Sequence, residues 1–390
     1  MRQARPRLME PATTVPFTDL SFQWRAIESA AMPDIKALFG ASAYSLGPWV
    51  EKFERDVGRY LNVEHAIAVN SGTSALHLAA IVAGLGPGDE VLVPANTFVA
   101  SAWAVRYVGA VPVFCDVDPS SWTIDLSDAE RRLTRATKAI IPVHLYGQPA
   151  GMRSVEAFAR QHRLRIIEDA AQAMGAMSDG ARVGYSGRLT CFSFYPGKNL
   201  GAAGEAGLIT TSDGAQADRL RSLRDHAQHE RYVHSELGFN YRMDGIQGLV
   251  LSHKLRELDA WTDERRRIAQ DYFAGLADVP LELPAVVNGD HVWHLFVVHT
   301  PQRDGLRAHL AEMGVDTRLH YPVPLHRQPC FSDLSVYDAG LPVVERNSRE
   351  CLSLPIYMGM TADQIGRVVA GIHSFFGQAA AAKRTSSPIG

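Results

Sequence analysis

The chain reads as an α/β protein, with a mostly parallel central sheet covered by helices on both faces and a smaller C-terminal α+β domain behind it. Three observations point there. Between residues 65 and 172, short Val/Ile-rich runs alternate with helix-length runs, which is the pattern of repeated βαβ units. The strand-like runs are apolar on both faces, as strands buried between two helical layers must be. Beyond about residue 278 the alternation gives way to fewer strands in mixed order.

In order, residues 23–60 form two helical pieces interrupted at Gly40-Ala41-Ser42 and around Pro48. A strand over 65–69 feeds the turn Asn70-Ser71-Gly72-Thr73-Ser74 and then a helix. Residues 90–172 continue as strand, loop and helix in alternation, ending in the acidic strand exit Glu168-Asp169. Cys191 to Tyr195 is apolar enough for a buried strand, and Pro196-Gly197 ends it. Residues 243–278 have the amphipathic spacing of one long helix joining two domains. The expected organisation is a loose N-terminal segment (1–14), a large domain (15–255), a small domain (256–377) and a disordered tail (378–390). The small domain should hold a strand at 292–299, a helix at 303–313, a strand and loop over 315–323, a helix and short strand over 343–355, and a last helix at 361–377.

With 46% apolar and 21% charged residues, the composition is that of an ordinary soluble protein. A net charge of −3 without a basic stripe argues against nucleic acid. No apolar run reaches the ~18 residues of a membrane span, and the basic start lacks an apolar signal core. A cytoplasmic location is expected. Cys115, Cys191, Cys330 and Cys351 lack CxxC spacing, so reduced thiols are favoured over disulfides or zinc. His226, His229 and His234 stand at irregular spacing without acidic or Cys partners, so no metal is expected.

In parallel sheets, ligands gather at the carboxyl ends of strands. That rule brings Ser71–Ser74, Asn96–Phe98, His144–Gly147, Asp169–Gln172 and Lys198 to one cleft. A strand feeding a small-residue turn and a helix directs free N–H groups at one point, which suits a phosphate; Ser and Thr there are equally ordinary helix caps. Lys198, after a buried strand, reads either as a surface lysine or as a desolvated Schiff-base amine. Asp169 reads as a helix cap or as the partner of a protonated ring nitrogen.

Taken together, several runs resemble a known family. VNSGTSALHLA (69–79), VLVPANTFVASAWAV (91–105), GAVPVFCDVDP (109–119), PVHLYGQPAGM (142–152), IIEDAAQAMGA (166–176), FSFYPGKNLGAAGEAGLITT (192–211) and LGFNYRMDGIQG (237–248) are similar, in order and spacing, to the motifs of the DegT/DnrJ/EryC1/StrS sugar aminotransferases. The likeness extends from about residue 15 to 377.

The resemblance implies a fold-type I pyridoxal 5'-phosphate (PLP/PMP) transferase, working as a homodimer with shared active sites. Lys198 then carries the cofactor and shuttles protons, and Asp169 pairs with its ring nitrogen. Gly72, Thr73 and Ser193 hold the phosphate, Phe98 lies against the ring, and Gln172 meets the ring oxygen. Asn240 reaches the phosphate in the neighbouring subunit. The substrates implied are an amino acid donor, L-glutamate, and a keto-sugar carried on a nucleoside diphosphate, with a keto-cyclitol as an alternative acceptor. His320, Tyr321, His326 and Glu205 are the candidate substrate contacts. The chain departs from the family at Ala206, where many members carry glycine after the glutamate, and at Tyr195-Pro196-Gly197. Two rival readings are a sugar dehydratase of the same fold, in which histidine replaces the lysine, and a non-catalytic regulatory dimer.

Overall fold

The computed structural model describes residues 14–337 and 340–385. Residues 1–13 and 386–390, most of the two ends expected to be loose, lie outside the described residues. Helices α1 (Ser21–Gly40) and α2 (Pro48–Leu61) precede the sheet. Strand β1 (His65–Val69) leads to α3 (Gly72–Val82), β2 (Glu90–Pro94) to α4 (Ala100–Tyr107), and β3 (Val111–Cys115) to α5 (Leu126–Arg131). Then come β4 (Thr137–Ile140), α6 (Met152–His162) and β5 (Arg165–Asp169). A short hairpin, β6 (Met177–Ser178) and β7 (Ala181–Arg182), precedes β8 (Leu189–Ser193) and β9 (Gly207–Thr211).

The seven-stranded sheet has the order β1-β9-β8-β5-β4-β2-β3. Only β9 runs against its neighbours; every other pairing is parallel. Alternate side chains along each strand enter different cores, the consequence of a two-residue period. Ile67, Val69, Val91 and Val93 pack under α3 and α4. From the opposite face, Ala66 and Ala68 meet Phe53 and Val57 of α2, and Leu92 and Val113 meet Ala129 of α5 and Val155 of α6. Both faces are therefore covered, as the two-sided apolar strands predict.

After α7 (Gly214–Arg224) and the exposed hairpin β10 (Gln228–Glu230) and β11 (Val233–His234), the single helix expected over 243–278 is two: α8 (Gly245–Leu255) and α9 (Leu258–Leu276). The halves serve different cores. Leu251 and Leu255 pack in the large domain, while Ile268, Tyr272 and Leu276 pack in the C-terminal one.

The C-terminal part holds β12 (Phe296–His299), α10 (Arg303–Glu312), α11 (Pro342–Glu350), β13 (Cys351–Leu354) and α12 (Ala362–Thr385). The antiparallel pair β12–β13 presents Phe296 and Leu354 to the C-terminal core and Val297 to the large one. Of the strand and loop expected over 315–323, the strand is reduced to single bridges, Val15 with Val315 and Arg318 with Ser353. Val15 itself packs in the C-terminal core. The tail expected to be disordered continues α12 as far as Thr385, in keeping with the helix preference of its alanine run. Among the described residues no helix is long and apolar enough to cross a membrane, and no group of His, Cys, Asp and Glu is arranged to hold a metal ion.

Candidate active site

Each parallel strand delivers its following residues to the same edge of the sheet. Asp169 is the last residue of β5, 4% exposed. Its Oδ2 accepts from Ser101 Oγ at 2.6 Å and its Oδ1 from the Ala171 amide at 3.1 Å, which fixes the carboxylate in one orientation. Beyond β8 the chain turns sharply, the Lys198 amide donating to the Tyr195 carbonyl at 2.8 Å. The loop then doubles back so tightly that a Cβ on Gly201 would lie 2.2 Å from the Pro196 carbonyl oxygen. Burial pushes the Lys198 amine down to about 8, against an opposing pull from Asp169. About half of it is then unprotonated at pH 8, where an exposed lysine is almost wholly charged.

At the end of β1, Ser71 caps α3, its Oγ accepting from the Ser74 amide at 3.0 Å. Gly72 and Thr73 open the helix, so their N–H groups lack intrahelical acceptors and sit at the positive end of the dipole. Gly72 is required by space: its Cβ would stand 2.7 Å from Ser193 Cβ. Gly207 is required too, since a Cβ there would come within 2.3 Å of the Ser71 carbonyl oxygen.

A cavity of about 520 Å³ unites these parts. Gly72, Thr73, Asp169, Ser193 and Lys198 line it, with Phe98, Gln172, Glu205 and Tyr321 at its other sides. Phe98 is 53% exposed, its ring centroid 6.2 Å from that of Tyr321. Gln172 is held at both ends: Oε1 accepts from the Tyr146 amide at 2.6 Å and Nε2 donates to the Tyr321 hydroxyl at 3.1 Å. A second cavity, about 360 Å³, shares Lys198, Phe98, Gln172 and Tyr321 and adds His320, His294, Arg265 and Arg318. Desolvation, then the Lys198 and Arg318 charges, pushes His320 down to about 4, so it is neutral at physiological pH. Its Nδ1 is hydrogen-bonded with Ser353 Oγ at 2.7 Å.

Two expected cleft residues, Asn96 and His144, and one expected substrate contact, His326, line neither cavity, and Asn240, expected to serve the neighbouring subunit, lies outside both. The His326 side chain is buried in a short 3-10 turn (Leu325–Arg327), with Nε2 3.3 Å from Glu345 Oε1. Asn96 turns its Oδ1 to Asn347 Nδ2 at 2.8 Å, and His144 pairs with Glu168 at 3.1 Å beneath the strand ends. Asn240 is exposed, outside both cavities, with its carbonyl accepting from Asn70 Nδ2 at 3.3 Å. Conversely, Ser101, Arg265 and His294 join the site without a sequence signal; Ser101 sits in an ordinary alanine-rich helix and the other two come from the distant C-terminal half.

The residues present fit pyridoxal phosphate. The desolvated amine suits its aldehyde, the fixed carboxylate its ring nitrogen, and the open helix terminus beside the Ser193 hydroxyl its phosphate. Sheet and cavity together define the class, a fold-type I aminotransferase. The chain belongs to the DegT/DnrJ/EryC1/StrS aminotransferase family, whose model matches residues 25–373.

A pleiotropic regulatory protein of Geobacillus stearothermophilus is 42% identical over 366 residues, 93% of this chain and 98% of its own. The dTDP-3-amino-3,4,6-trideoxy-alpha-D-glucose transaminase of Streptomyces venezuelae is 41% identical over 363 residues, 93% of this chain and 96% of its own. Among solved structures, S. venezuelae DesV in complex with a ketimine intermediate matches with a TM-score of 0.90 at 41% identity, covering 93% of this chain and 98% of that one.

Proposed function

We propose that the protein binds pyridoxal phosphate and moves an amino group from an amino acid, L-glutamate, to a keto-sugar carried on a nucleoside diphosphate. The observation that carries this reading is the meeting of Lys198, Asp169 and the open N-terminus of α3 in one cavity. When bound, the cofactor supplies an electron sink that makes the donor's α-proton removable. Lys198 Nζ, desolvated and largely unprotonated above pH 8, is the base for that α-proton and later the acid that returns one. Asp169, oriented by Ser101 and Ala171, would keep the cofactor's ring nitrogen protonated. The Gly72 and Thr73 N–H groups and the Ser193 hydroxyl would hold its phosphate, Phe98 would lie against its ring, and Gln172 would donate to its ring oxygen.

For the sugar, the neutral His320, Tyr321 and Glu205 border the space left beside Lys198. The nucleotide-sugar transaminase among the relatives supports that substrate class. A homodimer is part of the reading. Leu237 and Tyr232 are 91% and 76% exposed on the loop around β10–β11, apolar surface that a second subunit would cover, and Asn240 follows on the same loop, free to reach the neighbour's phosphate. The regulatory relative favours a second reading, a cofactor-bound dimer acting without turnover. The test is amine transfer from L-glutamate to a panel of dTDP- and UDP-linked keto-sugars, with 2-oxoglutarate and the aminated sugar both measured. Transfer to at least one acceptor, lost in Lys198→Ala, is expected. Failure with every acceptor and donor, at full cofactor loading, would leave the regulatory reading in place.

A further inference from the structure

The loop that presents Lys198 is held by two buried polar side chains that line neither cavity. Lys254 of α8, 7% exposed, donates from Nζ to the Gly201 carbonyl at 2.7 Å and to Gln23 Oε1 at 2.9 Å. Gln23 of α1, 1% exposed, donates from Nε2 to the Asn199 carbonyl at 3.2 Å. One linked pair thus takes up two carbonyls immediately beyond the lysine. The Asn199 side chain is held from the C-terminal half, its Nδ2 donating to the Val292 carbonyl at 2.7 Å and its Oδ1 lying 3.3 Å from His294 Nδ1.

The segment has one further backbone anchor, the Ala202 amide donating to the Phe194 carbonyl at 2.8 Å, and Leu200 and Ala202 pack in the core. Gly197, Gly201 and Gly204 fall within eight residues together with Ala202 and Ala203, a composition that imposes little backbone stiffness. Lys254 is a costly way to fill the space under such a loop. Among the described residues no carboxylate ion-pairs with it, and burial alone pushes its amine down to about 8. A buried cation without a counter-ion opposes folding, whereas an unbranched apolar side chain of similar length would not.

We propose that Lys254 and Gln23 are positioning residues for amine transfer, fixing the Asn199 and Gly201 carbonyls so that the Lys198 amine keeps a single placement in the cavity. The proposal rests on the aminotransferase reading, but its first readouts do not. In full-length, cofactor-loaded protein, Lys254→Met is expected to melt no lower than wild type while amide hydrogen exchange over residues 197–204 accelerates. Its kcat falls on the order of ten- to a hundredfold, the loss expected of a misplaced reacting group, with the donor KM little changed. Lys254→Arg, which keeps the donors, recovers part of both. Exchange and kcat at wild-type values in Lys254→Met would overturn the proposal, and so would a fall in melting temperature that Lys254→Arg reverses without restoring kcat. Should Lys254→Met not fold, Gln23→Glu decides: it keeps an acceptor for Lys254 and loses the donor to Asn199. Faster exchange over 197–204 is then expected, and unchanged exchange would sink the idea. If wild type transfers no amine, the reading of function fails while melting and exchange still score the loop.

Discussion

Lys198 combines two demands that pull against each other, since a base must be neutral to act and a buried cation destabilises the fold. Its amine drops from 10.5 to about 8 because it is desolvated. In the unliganded protein the sign of the effect on stability follows from proton counting. Below pH 8 both folded and unfolded chains carry the proton, and the burial penalty is present in full. Between about 8 and 10.5 only the unfolded chain keeps it, so the penalty fades as pH rises. Lys198→Met is therefore expected to melt above the wild-type apoprotein at pH 7, with the gap closing towards pH 10.5; a gap independent of pH would contradict this origin of the shift. Ser101→Ala should leave the fold intact and weaken cofactor retention by about 1.5–3 kcal/mol, the worth of a hydrogen bond to a charged group, measured as cofactor dissociation. Lys198 and Asp169 were legible because each stands at a strand exit within a long run of ordered motifs. Ser101 was not, because nothing in ASAWAVRY distinguishes a serine facing a carboxylate from one facing a helix.

The phosphate-type turn is made by three elements pressed together, and the two glycines at their contacts have different standing. Gly72 meets the Ser193 side chain, whereas Gly207 of β9 meets backbone, with a Cβ 2.4 Å from the Ser71 carbonyl carbon and 2.7 Å from the Gly72 nitrogen. Rotation about χ1 does not move Ser193 Cβ, so both contacts are fixed, and the one at Gly207 falls directly on the backbone at the head of α3. Gly207→Ala is expected to cost about 1–3 kcal/mol in stability, as overpacking does, and to lower pyridoxal phosphate affinity, read by equilibrium dialysis. Retained affinity would show that the turn yields without consequence. The turn was readable from sequence because strand, small residues and helix follow one another directly. The break between α8 and α9 was not: Arg256 and Glu257 carry no breaker, and the division follows from which core each half enters. Nor does the sequence mark the place of His326, whose ring lies against Glu345 of α11.

Across the molecule, the cavities are walled by residues from the central sheet and from the C-terminal half, and the segment at Val15 is tied to the C-terminal half. The Val15 amide donates to the Gly314 carbonyl at 2.7 Å, Asp316 returns a bond to Val15 at 2.9 Å, and the Phe17 ring lies 5.9 Å from that of His320. Val15→Ala should therefore destabilise by about 2 kcal/mol through the cavity it opens. Its effect should fall on the C-terminal half, seen as faster hydrogen exchange in α10 and β13 than in the central sheet. The parallel sheet and its ligand edge were evident from alternation alone, whereas this return of the N-terminus to the distant half leaves no local mark. Gln172 also spans the halves, between the Tyr146 amide and the Tyr321 hydroxyl. Because its oxygen is committed on one side and its nitrogen on the other, the amide cannot exchange ends. Only its remaining hydrogen is on offer, so that stretch of wall has a permanent polarity: it welcomes an incoming oxygen and turns away a competing donor, whatever else enters the chamber.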